Sequence, residues 1–79
     1  MIRILDASVV VKWFAPDGNR DDAAADSVLR DVSEQPRQFV VPELLVYELM
    51  NVLYKRMGQA RDVTAAIDRF TRLGIPGRG

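Results

Sequence analysis

Two short β-type runs, each followed by two stretches of helical periodicity, constrain the fold of this chain more than any other feature. The first run covers residues 2–5 and leads into Asp6, and the second covers residues 38–41. Apolar runs this short suit strands of a buried parallel sheet better than helices. Strands that alternate with helices imply a parallel sheet in an α/β fold. The sequence therefore predicts a parallel sheet flanked by helices in the order β-α-α-β-α-α, with residues 75–76 as the start of a further strand.

Turn-forming residues separate four predicted helices. The helical spacing of apolar residues places these helices at residues 8–14, 20–34, 42–57 and 62–73. Asp17 or Asn19 can cap the second helix. Pro42 suits the first turn of the third helix, where its missing N–H is not needed. Gly58 is expected to end the third helix, and Gly74 is expected to end the fourth.

The chain has few strands for the number of its helices. It has 79 residues, and a domain of this size buries only about 60–65% of the surface that its unfolded chain exposes. Two short parallel strands are too few to cover four amphipathic helices, and parallel sheets are normally buried on both faces. We therefore expect a single partial domain over residues 1–79, which could be a fragment, a shortened gene product or an obligate oligomer.

The absence of cysteine and histidine restricts the chemistry that this chain can perform. It excludes disulfides, thiol catalysis, Ser-His-Asp triads and imidazole zinc sites. Any metal would need carboxylate and backbone oxygen ligands, which suit Mg²⁺ or Mn²⁺. The 11 basic and 11 acidic side chains balance, so net charge gives no general attraction to nucleic acid. No apolar run approaches the roughly 20 residues of a membrane span, and we expect a soluble, cytoplasmic protein.

Asp6 and Ser8 form the first candidate site. Asp6 lies at the carboxyl end of the first predicted strand, the position at which open α/β sheets bind ligands. It can equally cap the helix that follows, and the two roles are compatible. Ser8 can hydrogen-bond Asp6 or a metal-bound water, or it can be an ordinary serine at a helix start.

Glu48 is the second candidate. Its neighbours three and four positions away on a helix are Leu44, Leu45, Asn51 and Val52. Because three of them are apolar, Glu48 is expected on a core-facing stripe, where a carboxylate needs a metal or an Arg such as Arg3 as its partner. Asn51 lies one turn further along and could hydrogen-bond near the same site.

Glu43 and five aspartates are assigned structural roles. Glu43 is expected in the first turn of the third helix, where the helix dipole favours an acid. Helix caps and solvated surface account for the rest, which are Asp17, Asp21, Asp22, Asp26 and Asp31.

Two segments resemble the signatures of the PIN-domain ribonucleases, in particular the toxins of the VapC type. Residues 4–14, ILDASVVVKWF, resemble the opening of the family, in which a strand delivers an Asp that is followed by a small residue and Ser or Thr. Residues 41–53, VPELLVYELMNVL, resemble its second signature, in which a strand passes into a helix and a Glu is followed by Asn and Leu. The order and spacing of the two segments also fit the family.

This resemblance implies a metal-dependent endoribonuclease of toxin–antitoxin type. Asp6 and Glu48 would be catalytic residues and ligands of Mg²⁺ or Mn²⁺, and Ser8 and Asn51 would be supporting polar groups. The resemblance also implies an RNA substrate, a VapB-type antitoxin as partner, and homodimers or other homo-oligomers. Family members carry further acidic ligands and a further strand beside the first one, and this sequence ends before that part.

A second hypothesis is an interaction module without catalytic activity. Such a module would self-associate through an open strand edge or apolar helix faces, or would bind an antitoxin without cutting RNA. A phosphatase of the haloacid dehalogenase type also begins with a strand that ends in Asp, but it needs a second Asp at the position of Ser8. That reading is therefore disfavoured.

Overall fold

A computed structural model of the chain describes residues 2–78. The elements in chain order are β1 (Arg3–Ile4), α1 (Ala7–Phe14), α2 (Arg20–Glu34), a 3₁₀ turn (Pro36–Gln38), β2 (Phe39–Pro42), α3 (Leu45–Met57), α4 (Ala60–Arg72) and β3 (Gly77–Arg78). The predicted mixed α/β fold with alternating strands and helix pairs is confirmed. The third strand forms two residues later than the sequence predicted.

The strands form one small parallel sheet in the order β1-β2-β3. The N–H of Leu5 donates to the carbonyl of Val40 at 3.0 Å, and the N–H of Val41 donates to the carbonyl of Pro76 at 2.8 Å. β2 is therefore the central strand, and β1 pairs with a strand on one side only within residues 2–78. The carboxyl end of β1 leads directly into Asp6, as the sequence predicted.

Only one face of this sheet is covered by helices. Along β2, Phe39 and Val41 are buried while Val40 and Pro42 are half-buried, so the strand alternates between a packed face and an open one. Ile4 lies beside Val40 in the register and is 63% exposed. Among the described residues, the face of the sheet that carries Ile4 is therefore left uncovered.

Helix α3 is the centre of the packed side. It packs against both α1 and α4, and α1 packs in turn against α2. Leu45, Leu49 and Leu53 recur every four residues on α3 and are at most 2% exposed, which is the spacing that aligns side chains on one helix face. Trp13 links α1 to α2, because its Nε1–H donates to the carbonyl of Ala25 at 2.7 Å.

The start of α3 differs from the prediction. Pro42 was expected in the first helical turn, but it ends β2, and a turn over residues 43–44 precedes the helix at Leu45. Pairing with β3 explains the difference, because Pro42 lies opposite Arg78 in the register and is held extended. Glu43 consequently lies before the helix, and the acid in the first turn is Glu48.

The helix ends follow the local signals. Asn19 caps α2, since its side chain accepts the N–H of Asp21 at 3.0 Å, which resolves the choice between Asp17 and Asn19. α2 covers the predicted residues 20–34. Gly58 ends α3 in the left-handed conformation, with φ +76° and its N–H bonded to the carbonyl of Tyr54. α4 then starts at Ala60, two residues earlier than predicted.

Replacing Gly58 with Ala is expected to lower the free energy of unfolding by about 1 kcal/mol. The left-handed conformation of Gly58 costs a residue with a Cβ roughly 1–2 kcal/mol, although no atom blocks the Cβ itself. Urea denaturation followed by circular dichroism measures the change. Gly77→Ala is the matched control, because Gly77 is not among the positive-φ glycines of the described residues and a Cβ there also meets open space. Equal losses in both variants would contradict this account of the helix end.

Candidate active site

An open cleft of about 380 Å³ lies where the end of β1, the start of α1 and one side of α3 meet. Its apolar walls come from small and branched side chains. Its polar lining contains three carboxylates, two cations and one serine, which are Asp6, Ser8, Lys12, Asp17, Glu48 and Arg56. Three of the four residues that the sequence singled out are thus brought to one place.

Asp6 serves as the N-cap of α1. Its backbone is extended, with φ −106° and ψ 138°, and its Oδ1 accepts the backbone N–H of Ser8 at 3.1 Å. Within residues 2–78 this cap engages only one oxygen of the Asp6 carboxylate. The capping role and a place in the cleft therefore coexist, as the sequence allowed. The contact between Ser8 and Asp6 runs through the backbone of Ser8 rather than through its hydroxyl.

Glu48 is exposed and faces the cleft, which differs from the predicted position on a core-facing stripe. The buried stripe of α3 runs through Leu45, Leu49 and Leu53 instead, and Glu48 lies beside it. The predicted alternative of an ion pair with Arg3 is wrong. Arg3 pairs with Asp31 at 3.3 Å and lies over the ring of Phe39. Being in the first turn of α3, Glu48 also interacts favourably with the helix dipole.

Asn51 lies outside the cleft. The residues of α3 that line the cleft after Glu48 are Val52 and Arg56, at intervals of four, whereas Asn51 is exposed beside them. Positions three and four residues after Glu48 lie on opposite sides of it around the helix axis. The cleft is on the side of Val52, so the supporting role of Asn51 stays a prediction without a contact in this cleft.

Three charged residues of the cleft were missed by the sequence analysis. Lys12 Nζ lies 2.9 Å from Asp17 Oδ2, and Arg56 Nη2 contacts Asp17 Oδ1. Asp17 was assigned to a helix cap or to solvated surface, but it bridges α1 and α3. A signal was available for the two cations, because Lys12 is four residues after Ser8 on α1 and Arg56 is eight residues after Glu48 on α3. No local pattern indicates that Asp17 meets Arg56.

This bridge shifts the proton affinity of its members. The hydrogen bond from Lys12, followed by that from Arg56, holds the pKa of Asp17 below its ordinary value of 3.8. The hydrogen bond to Asp17 is also the main reason that the pKa of Lys12 is raised above 10.5. Both shifts favour the charged forms, so Lys12 and Asp17 stay ionised throughout the neutral range.

The bridge is expected to make a contribution to stability that disappears in acid. Because the pKa of Asp17 is lower in the folded chain than in the unfolded one, this contribution is present above pH 3.8 and is lost as the pH falls through the lowered pKa. Melting curves of the wild type and of Asp17→Asn, recorded from neutral pH into the acid range, measure it. The difference in Tm should shrink below pH 3.8. A difference that is constant over the whole range would contradict the assignment.

The polar lining meets the minimum that a hard divalent cation requires. Mg²⁺ commonly binds through one or two carboxylates, with waters and substrate phosphates as its other ligands. Asp6 and Glu48 can supply those carboxylates. Among residues 2–78, however, no group of three or more acidic side chains is close enough to form a complete metal cage. A tightly held metal here needs ligands beyond these two carboxylates.

Comparison with models of protein families, with curated proteins and with solved structures found no match for this chain. The candidate site therefore stands on its own geometry. The helices of residues 2–78 include none with the length and apolar character that a bilayer crossing requires.

Proposed function

We propose that this chain is the metal-binding and RNA-binding part of a PIN-type ribonuclease that resembles VapC toxins. The observation that carries the proposal is the convergence of Asp6 and Glu48 in one cleft. They come from the two separate segments that resemble the family signatures. A chance resemblance of either segment alone would not require their carboxylates to share a cleft.

In this proposal Asp6 and Glu48 hold Mg²⁺ or Mn²⁺. The ion would activate water for attack on an RNA phosphodiester and would neutralise charge on the phosphate. Asp6 is well suited to such a role, because the cap to Ser8 fixes the orientation of its carboxylate at the end of β1. Glu48 is held on the opposite wall by the rigid helix α3, and its exposure leaves it accessible to an ion.

The charges around the carboxylates suit an anionic substrate. Lys12 and Arg56 line the same cleft, although the chain as a whole has no net charge. Local cations of this kind bind phosphate groups, Arg through its planar fork and Lys as a point charge. The cleft is also open rather than enclosed, which fits a polymer better than a small molecule that must be surrounded.

A cleavage assay tests the proposed function. The purified chain is incubated with RNA of mixed sequence and Mn²⁺ or Mg²⁺, and the control contains EDTA. We expect cleavage products that appear with either metal and are absent with EDTA. An absence of metal-dependent cleavage under all these conditions would contradict the proposal for this chain.

A second candidate function is that of an interaction module that binds without cutting. Two observations favour it: the carboxylate set of residues 2–78 is incomplete, and large apolar side chains are exposed on or next to β1 and α3. These side chains include Ile2, Ile4, Leu44 and Tyr47, each 63–64% exposed. Exposed apolar side chains that form one patch are typical of sites that contact another protein. The partner would be a second copy of the chain or a VapB-type antitoxin.

Light scattering coupled to size exclusion separates the two candidates when it is combined with the cleavage assay. A stable dimer or larger assembly without metal-dependent cleavage would favour the interaction module. Cleavage by an assembled form would favour the ribonuclease, with the remaining ligands supplied across the assembly.

A further inference from the structure

The carboxylate of Asp17 holds two cations on the wall of the candidate active site. Lys12 contacts one of its oxygens at 2.9 Å, and Arg56 contacts the other. The three residues come from different parts of the chain: α1, the segment that joins α1 to α2, and α3. Both carboxylate oxygens are thus occupied, each by a different cation.

We propose that Lys12 and Arg56 form a subsite for a backbone phosphate of RNA, and that Asp17 occupies this subsite in the free protein as an anion that the phosphate displaces. This inference rests on the proposed function for the origin of the phosphate. It adds to that function a contact with the substrate, and an internal anion that competes with the substrate for this contact.

The geometry of the bridge suits an exchange of one anion for another. A carboxylate presents two oxygens that share a negative charge to the two cations. A phosphodiester presents two non-bridging oxygens that also share a negative charge. The cations need not move far, because they already converge on a single group. Lys12 and Arg56 also share the cleft with Asp6 and Glu48, so a phosphate bound between them lies next to the carboxylates that would hold the metal.

The surroundings of Asp17 allow its side chain to leave while the backbone stays in place. Its side chain is 32% exposed, and the side chain of Arg56 is 35% exposed, so solvent and a ligand reach the pair. The backbone N–H groups of Asp17 and Gly18 both donate to the carboxylate of Asp22. The turn is therefore fixed by Asp22, and a rotation of the Asp17 side chain is enough to free the two cations.

Asp22 also explains how Lys12 is retained once Asp17 has moved. Lys12 Nζ lies 3.9 Å from Asp22 Oδ1, so it keeps a weak acidic neighbour. Arg56 has no second ion pair within residues 2–78. Of the two cations, Arg56 is therefore the one that gains most from an incoming phosphate.

The test measures binding of a short single-stranded RNA that carries fluorescein at its 5′ end, by fluorescence anisotropy in EDTA, so that cleavage plays no part. Asp17→Asn removes the internal anion and is expected to tighten RNA binding by about fivefold, because a larger fraction of the molecules is then competent to bind. Asp68→Asn is the matched control. It makes the same change of charge at an exposed pair with Arg72 on α4, outside the cleft. An equal effect in the two variants, or no effect of Asp17→Asn, would overturn the proposal.

A second pair of variants covers the case in which Asp17→Asn does not fold, as judged by circular dichroism. Arg56→Gln leaves the pair of Lys12 and Asp17 intact, and Arg72→Gln removes the same charge from the exposed pair with Asp68. Arg56→Gln should weaken RNA binding several-fold more than Arg72→Gln, and it should also make binding less dependent on salt. Equal losses of RNA affinity in Arg56→Gln and Arg72→Gln would overturn the proposal.

A competition experiment shows whether RNA or free phosphate is the natural occupant of the subsite. Unlabelled RNA should displace the labelled RNA from Asp17→Asn far better than inorganic phosphate does at the same total phosphate concentration and ionic strength. Equal displacement would overturn the assignment to RNA. The outcome is independent of cleavage, so a failure of the ribonuclease proposal and a failure of this subsite give different results.

Discussion

Asp6→Asn and Glu48→Gln are each expected to reduce metal-dependent RNA cleavage by at least about 100-fold. Each substitution removes a charge from the pair of carboxylates to which we assign the metal in our proposal. A metal ion contributes several kcal/mol to the stabilisation of charge in the transition state, and each 1.36 kcal/mol lost slows the reaction about tenfold. Initial cleavage rates at saturating Mn²⁺ or Mg²⁺ measure the effect.

Two exposed acids provide the controls for this prediction. Asp68→Asn makes the same change as Asp6→Asn on α4, and Glu43→Gln makes the same change as Glu48→Gln before the start of α3, outside the cleft. Both control variants should cleave at close to the wild-type rate. Cleavage that survives in Asp6→Asn and Glu48→Gln would indicate a contaminating nuclease and would remove the support for this cleft as the active site.

Leu49→Ala is expected to lower the free energy of unfolding by about 2–5 kcal/mol. The side chain of Leu49 is completely buried near the middle of α3, the helix that packs against both α1 and α4. Small domains have total stabilities of about 5–15 kcal/mol or less, so this variant should be largely unfolded at moderate urea concentration. Urea denaturation followed by circular dichroism and by the fluorescence of Trp13 measures it, because Trp13 packs against the core beside Phe70.

Leu44→Ala is the matched control for the core. Leu44 precedes the same helix and is 64% exposed, so truncation there should change the free energy of unfolding by no more than about 0.5 kcal/mol. Comparable losses for Leu49→Ala and Leu44→Ala in the isolated chain would mean that the packing around α3 is not as described. If Leu44→Ala is destabilising only at high protein concentration, its exposed side chain takes part in self-association.

The order of strands and helices could be predicted from the sequence because it depends on local periodicity. Helix α2 (residues 20–34) is an example. Asn19 marks its start and Pro36 marks its end, and both lie next to the helix in the sequence. The start of α3 could not be predicted in the same way. Pro42 is compatible with a first helical turn, but its pairing opposite Arg78 holds it in the sheet. That contact joins distant parts of the chain, so no local pattern indicates it.

The sequence likewise predicted some residues of the candidate site but not their contacts. Asp6 follows a strand and Glu48 lies in a helix of recognisable sequence, so both could be singled out locally. The helix neighbours of Glu48 suggested burial, whereas the structure turns Glu48 to the cleft and gives Arg3 a different partner in Asp31. The bridge between Asp17 and Arg56 depends on how α1 and α3 pack together, which periodicity does not specify.

The exposed tyrosines illustrate the limit of composition as a guide to burial. Aromatic side chains are commonly expected in a core or an interface, but the structure leaves Tyr47 and Tyr54 64% and 47% exposed. Trp13 and Phe14, in contrast, do pack against the core. The two tyrosines therefore lie outside the core of this chain, and a place for them in an interface is a prediction.

The binding position of a divalent metal is the most direct test of the central claim, that Asp6 and Glu48 form a metal site. We would titrate Mn²⁺ into the ¹⁵N-labelled chain and follow its ¹H–¹⁵N spectrum, because this paramagnetic ion broadens the resonances of nuclei close to it. We expect the amides of Asp6, Ala7 and Glu48 to broaden first, and we expect this preference to be lost in Asp6→Asn. Earlier broadening around other acids, such as Asp62 or Asp68 on α4, or uniform broadening with no preferred position, would contradict the claim.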